Sequence, residues 1–307
     1  MHIPNSMLNG AICPVTAAIS TASVIMAGVA AAISKVKISA ARFGAITAFI
    51  FAAQMMNFPV QNGTSGHFLG AALAVALLGL PFGLLSMALV VSIQCIVFSD
   101  GGFSVLGANI LNMAVIGAGI GGILHNLLAR KTSDGSSGYL IGLGFIAWVS
   151  IMSAALACSL ELAISGTVEI GKVLPSMLGV HAVIGVGEGL ITIAAYAAFS
   201  GKVAVVTDRR SAVAPLAVAG ITAAILSPFA SGYPDGLEWV AEKYRFLHDA
   251  APSFVSPMPD YSIPAISGEA LSTGLSGLAG VVITFVTAMV VIGIVRAGKT
   301  ALIKQVR

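Results

Sequence analysis

The chain opens "MHIPNSMLNG", and its first two residues carry three nitrogens that can close on one metal ion. The terminal amine of Met1 is the first. The backbone amide of His2, once deprotonated, is the second, and the His2 imidazole is the third. Amine and amide close a five-membered ring with the ion; amide and imidazole close a six-membered one. The three nitrogens fall into one plane, and a fourth donor completes the square that marks Ni(II) or Cu(II). An amide does not ionise in neutral water, so a tightly bound metal must drive that step and release the proton. The chemistry requires Met1 to be retained, which a bulky second residue favours, and its formyl group to be gone. Against it stands the plainer reading that a lone histidine is more often a hydrogen-bonded structural residue than a ligand.

The elements that must position such a chelator follow from composition. Of 307 residues, 57% are hydrophobic and only 9% charged; a soluble domain carries roughly 25% charged residues. A chain of this kind belongs in lipid. The net charge of +3 says nothing for nucleic acid. Cys13, Cys95 and Cys158 lack CxxC spacing and read as free thiols rather than a zinc site or disulfide frame. No Lys or Arg precedes Lys35, so residues 1–13 lack the basic start of a signal peptide and are expected to stay in the mature protein.

Apolar runs predict an all-α polytopic bundle. Spans are expected at 14–34, 38–56, 82–98, 104–129, 139–163, 177–201, 212–230 and 273–296, with a short helix at 68–80 that Pro81 ends. That gives nine segments. With the N-terminus outside and the C-terminus inside, Lys35, Lys37, Arg42, Arg130, Lys131, Lys202, Arg209, Arg210, Arg296, Lys299, Lys304 and Arg307 fall inside, leaving only Lys172, Lys243 and Arg245 outside. An even number of crossings breaks this asymmetry, so the short segment is counted as one. Two parts are expected: a Gly/Ala-rich bundle over 1–203, whose small residues let helices pack closely in lipid, and a second part over 204–307 with two spans around a polar outer loop, 231–272. In that loop "DGLEWVAEKY" has acids early and Lys243 and Arg245 late, the charge order of a short helix.

Side and neighbourhood then sort the candidates for the fourth nitrogen. His125 falls near the inner end of its span and His248 in the second part's loop. His67, in "NFPVQNGTSGHFLG", lies on the N-terminal side directly before the short helix and is the best match; His181 is a reserve ligand. Polar groups inside a membrane are placed for a reason. Asn109 and Asn112 share one helix face near the outer end, to hold either the N-terminal loop or a neighbouring helix. Gln54 and Gln94 are weaker candidates of the same kind. His181 and Glu188 share a face two turns apart; Glu188 is read as protonated, paired, hydrogen-bonded between helices, or part of a metal path. Asp100 is read as a helix cap, and Asp235, Glu238, Glu242, Asp249 and Asp260 as a solvated acidic loop surface.

Enzymatic readings find little support. HExxH and GxSxG are absent, and no GxxxxGK[ST] loop is present to use ATP. A channel calls for a polar stripe through several spans, and a vitamin pocket has no use for His2.

Four stretches in order, "MHIP", "SGHFLGAALAVALLGLPFG", "FSDGGFSVLGANILNM" and "HAVIGVGEGLIT", resemble the NikM/CbiM family over residues 1–203. These are the substrate-binding membrane subunits of energy-coupling factor (ECF) importers for nickel and cobalt. The "PDGLEWVAEKY" part resembles the small NikN/CbiN-type partner subunit, here fused. The resemblance implies that Met1, His2 and His67 bind the ion, that Ni(II) or Co(II) is the cargo and no redox cofactor is held, and that the partners are an ECF coupling protein (NikQ/CbiQ-like) and a cytoplasmic ATPase (NikO/CbiO-like). It places the chain in the cytoplasmic membrane of a prokaryote. The family reads "MHIPDGFL" where this chain has Asn5, Ser6 and Met7, and cobalt relatives read "MHIMEGFL", so Pro4 favours nickel.

Overall fold

The computed structural model describes residues 1–36, 38–61, 63–200, 209–247 and 254–305. His248 and Asp249, together with Lys37, Lys202 and Arg307, lie outside these, so the readings given to them are not addressed. The described chain is almost wholly helical: α1 Ile12–Ile33, α2 Ala40–Gln54, α3 Ala71–Leu78, α4 Leu80–Phe98, α5 Phe103–Ala129, α6 Ser137–Ile164, α7 Ile170–Phe199, α8 Val213–Phe229, α9 Gly236–Tyr244 and α10 Glu269–Gln305. A two-residue ladder pairs β1 Phe58–Pro59 with β2 Ser65–Gly66. Six helices (α1, α4, α5, α6, α7 and α10) are long and apolar enough to cross a membrane; α2 and α8 are apolar but shorter.

Small residues set the packing, as lipid demands. A Cβ on Gly107 of α5 would lie 2.4 Å from the Ala17 backbone of α1, and one on Gly189 of α7 would lie 2.9 Å from the Gly144 carbonyl of α6. Hydroxyls bridge helices as well, Ser20 of α1 to the Gly107 carbonyl of α5 at 2.7 Å and Ser150 of α6 to the Gly117 carbonyl of α5 at 2.8 Å. Helix α5 widens into π turns over Leu111–Gly117. The three cysteines are free.

Two ends can be told apart. At one, Arg42 reaches the Phe199 carbonyl, Tyr196 donates to Asp134 at 2.6 Å, and His125 pairs with Tyr139 at 2.7 Å. The Arg296 guanidinium bonds the Ile38 carbonyl there too. At the other end the N-terminal segment, residues 63–70, the 99–104 turn and residues 231–247 and 254–262 converge. Met1, Ile3, Met7 and Leu8 are buried, so the chain enters the protein at its first residue.

Helix α3 has eight residues and spans about 12 Å, less than half a bilayer core. Gly79, at φ 81°, turns the chain back so that α4 packs along α3, with Gly83 against the Val75 backbone. The segment ahead of α3 is buried throughout from Thr64 to Gly70. It carries the chain inward from the loop end, and His67 rides on it.

The second part closes over this segment. Asp235 caps α9: its Oδ1 accepts from Leu237 and Glu238 at 2.8 and 2.9 Å, and Glu238 accepts from the Asp235 amide at 2.9 Å, a capping box. Ser65 donates its amide to the Pro234 carbonyl at 2.8 Å and its hydroxyl to the Tyr233 carbonyl at 2.8 Å.

Candidate metal site

The N-terminal segment is held by backbone and side chain together. Asn109 of α5 grips Ile3 on both sides: it accepts from the Ile3 amide at 2.8 Å and donates to the Ile3 carbonyl at 3.0 Å. The Gly102 amide donates to the same carbonyl at 2.8 Å. Asn5 accepts from the amide and hydroxyl of Ser104 at 3.1 and 2.9 Å. Thr167 donates to the Met7 carbonyl at 2.5 Å.

These anchors bring the Met1 amine onto His67. The amine contacts His67 Nε2 within hydrogen-bonding distance and donates to Asp235 Oδ2 at 2.5 Å. His67 Nε2 lies 3.7 Å from the same carboxylate oxygen. The His2 and His67 rings stack with centroids 5.3 Å apart and planes 17° from parallel. Both ring nitrogens of His2 face oxygens: Nδ1 lies 3.0 Å from Asp100 Oδ1, and Nε2 lies 3.1 Å from Gln94 Oε1.

His67 Nδ1 lies 3.1 Å from the Phe68 carbonyl, the placement of an N–H that leaves the Nε2 lone pair facing the amine. Burial alone would raise the Asp235 carboxyl, yet the amine and His67 carry it well below the usual carboxylate range. Asp100 is also held low: burial opposes ionisation, but His2 and the Tyr261 hydroxyl, 2.5 Å away, outweigh it.

His67 is set by its flanks. Helix α3 begins at Gly70, which sits in the left-handed region at φ 80° and offers no side-chain cap. Glu188, buried in the middle of α7, supplies it instead, accepting from the Leu69 and Gly70 amides at 2.6 and 2.9 Å. Gln54 of α2 donates to the Leu69 carbonyl at 2.7 Å. Of the readings left open for Glu188, the structure gives a hydrogen bond, but to backbone rather than to another side chain.

Several expectations change. Asn112 does not reach the N-terminal loop but holds a neighbouring helix, the other of its two readings: it donates to Glu161 of α6 at 2.7 Å. Glu161, buried in the last turns of α6, is thus a second intramembrane acid beside Glu188. Asp100 does not cap the following helical turn, whose first position is Gly102 with no side-chain cap; it faces His2. Asp235 is not a solvated loop acid but a buried partner of the amine. His181 bonds the Met177 carbonyl through Nδ1 at 2.8 Å and, with Met1, His67 and Gly236, lines a void of about 10 Å³, the lower limit for one water. His125 lies at the opposite end. Among the described residues, no three His, Cys, Asp or Glu side chains gather as metal ligands.

The profile of the CbiM family, described as the cobalt uptake substrate-specific transmembrane region, matches residues 2–206, and that of the PDGLE domain matches residues 209–297. A chain of Archaeoglobus fulgidus, named as a fused nickel transport protein NikMN, is 38% identical over 251 residues, 78% of this chain and 82% of its own. A Haloquadratum walsbyi chain named as a metal transport protein is 36% identical over 202 residues, 64% of this chain and 88% of its own. Among solved structures, a truncated transition metal transporter superposes with a TM-score of 0.57 at 29% identity, covering 64% of this chain and 97% of that one. Matched over more than half its length, the chain belongs to the CbiM family, carries a PDGLE domain behind it, and is a multi-pass membrane transport protein rather than an enzyme.

Proposed function

We propose that this protein is the ion-binding subunit of an importer for a divalent transition metal, nickel by preference. The Met1 amine, the His2 amide and imidazole, and His67 form a four-nitrogen square. The observation that carries this reading is the direct contact of the Met1 amine with His67 Nε2, with the His2 ring stacked alongside, in a site closed to solvent. A six-membered chelate ring runs through His2 Nδ1, the nitrogen that faces Asp100, so ion and carboxylate compete for it. Asn109 holds the strand that presents these donors, and Glu188 holds the segment carrying His67; Asn112 and His181 stand further back.

Nickel is favoured by Pro4 and by the name of the Archaeoglobus relative; cobalt is the second reading, favoured by the description of the family that matches residues 2–206. We take 1–203 as the metal-binding bundle and 204–307 as the PDGLE part. We further take the chain to cross the cytoplasmic membrane of a prokaryotic cell nine times, N-terminus out and C-terminus in. The short α3 and the buried segment before it make the crossing that the basic residues require. An ECF coupling protein and cytoplasmic ATPases supply the energy, a reading that rests on family resemblance.

The test is a titration of purified protein with Ni(II) and Co(II), after intact mass has established a free Met1 amine. A yellow, diamagnetic nickel complex, lost in His67→Ala and in His2→Gln, is expected. Binding that survives both changes places the ligands elsewhere and overturns the assignment. Competing uptake of Ni(II) and Co(II) by the assembled transporter decides between them, since nitrogen donors bind Ni(II) more tightly whichever ion is carried.

A further inference from the structure

The PDGLE part does more than cover the bundle: one carboxylate of it is divided between two tasks. Asp235 Oδ1 caps α9, accepting from Leu237 and Glu238, while Oδ2 accepts from the Met1 amine. The Met1 side chain is only 3% exposed and the Asp235 side chain 12%, so the bond lies in a site with little access to water. Gly236 lets this corner come close: a Cβ there would meet His181 Cε1 at 2.9 Å and Ile184 at 3.0 Å. The strand bearing His67 is tied to the same corner through Ser65 and the carbonyls of Tyr233 and Pro234. The amine and His67 are therefore referenced to one another through a residue 234 positions from the N-terminus.

We propose that Asp235 is a positioning residue for metal loading: its Oδ2 fixes the Met1 amine against His67. The bond survives loading, because a coordinated amine keeps N–H groups to donate. The α9 cap delivers the carboxylate at a fixed angle, so the second part sets where the first donor of the chelate stands. This deepens the proposed function and rests on it for the metal, but the placement of the amine can be read without any metal.

The substitution that separates the two tasks is Asp235→Asn. Asparagine caps a helix about as well as aspartate, so α9 and the fold should be kept, while the amine loses its anionic acceptor. In the full-length metal-free protein, reaction of the Met1 amine with an amine-directed acylating reagent, followed by intact mass, should be several-fold faster in the variant. In a nickel titration the variant should bind about ten-fold more weakly, the smaller end of what a hydrogen bond to a charged group contributes. Its nickel spectrum should be unchanged, and Asp235→Glu should recover part of the affinity. Equal acylation rates in the two proteins overturn the inference whatever the metal does. Equal nickel affinity with faster acylation overturns its link to loading. If the wild type binds no nickel at its N-terminus, the metal assignment falls, and the acylation rates still decide the role of Asp235 in holding the amine.

Discussion

Glu188 allows the most demanding test of how the site is held. Its two oxygens accept from the Leu69 and Gly70 amides at 2.6 and 2.9 Å. Both partners are donors, so the arrangement calls for two acceptors, and the carboxylate faces the positive end of α3. Glu188→Gln keeps the shape but turns one acceptor into a donor. One hydrogen bond to a charged group is weakened to a neutral one, and the other N–H is left buried against an NH2. Hydrogen bonds to charged groups contribute ~1.5–3 kcal/mol, and an unsatisfied buried donor costs ~1–3 kcal/mol. A net loss of ~2–4 kcal/mol follows, or a fall of about 3–6 °C in thermal midpoint for a chain of this size. His67 lies two residues from the released anchor, so nickel affinity should drop by about ten-fold alongside. Thermal unfolding in detergent and nickel titration of the same preparations measure both. An unchanged midpoint would refute the anchoring argument. Lost transport with midpoint and affinity both intact would instead put Glu188 on the path of the ion.

Two further outcomes are expected. Asn109→Ala removes both bonds to Ile3 and should weaken nickel binding about ten-fold, whereas Asn112→Ala strips Glu161 of its donor and should lower stability by ~1–3 kcal/mol with nickel affinity retained; paired titrations and melts separate the two. Gly102→Ala places a Cβ 2.4 Å from the Asn5 amide nitrogen, so it should displace the N-terminal segment and weaken binding, while a variant at Gly119, where a Cβ meets nothing, should bind as the wild type does.

The helical class and the helix order were legible because lipid forces long apolar runs to become helices, and each predicted run has a helical counterpart within a few residues. The candidate ligands Met1, His2 and His67 were legible because chelate ring size is local covalent chemistry. The second ring of contacts was not. Asp235 reads as one of several solvated loop acids; one of its oxygens caps a helix, and nothing local reports that the other faces an amine 234 positions away. Asp100 stands before a helix and looks like its cap, yet Gly101 at φ 91° turns the chain first and sends the carboxylate toward His2. Asn109 and Asn112 share a face on an ideal helix; the π turns from Leu111 onward rotate the second away from the first. In each case the deciding contact is long-range or depends on a backbone irregularity, and periodicity carries neither.

The double use of Asp235 has a consequence for the fused architecture. A contact shared by two processes couples them with one free energy in both directions. Whatever Asp235 contributes to holding the amine for the ion, the held amine contributes to docking the PDGLE corner on the bundle. Loading and docking are then linked without any large movement, since the bonds of Ser65 to Tyr233 and Pro234 already fix the corner to the strand of His67. A separate second subunit would have to supply this docking from solution concentration. Covalent fusion makes it intramolecular, with an effective concentration in the millimolar range for short tethers, so a site whose first donor is positioned by the far end of the chain stays assembled even where each individual contact is worth only a few kcal/mol.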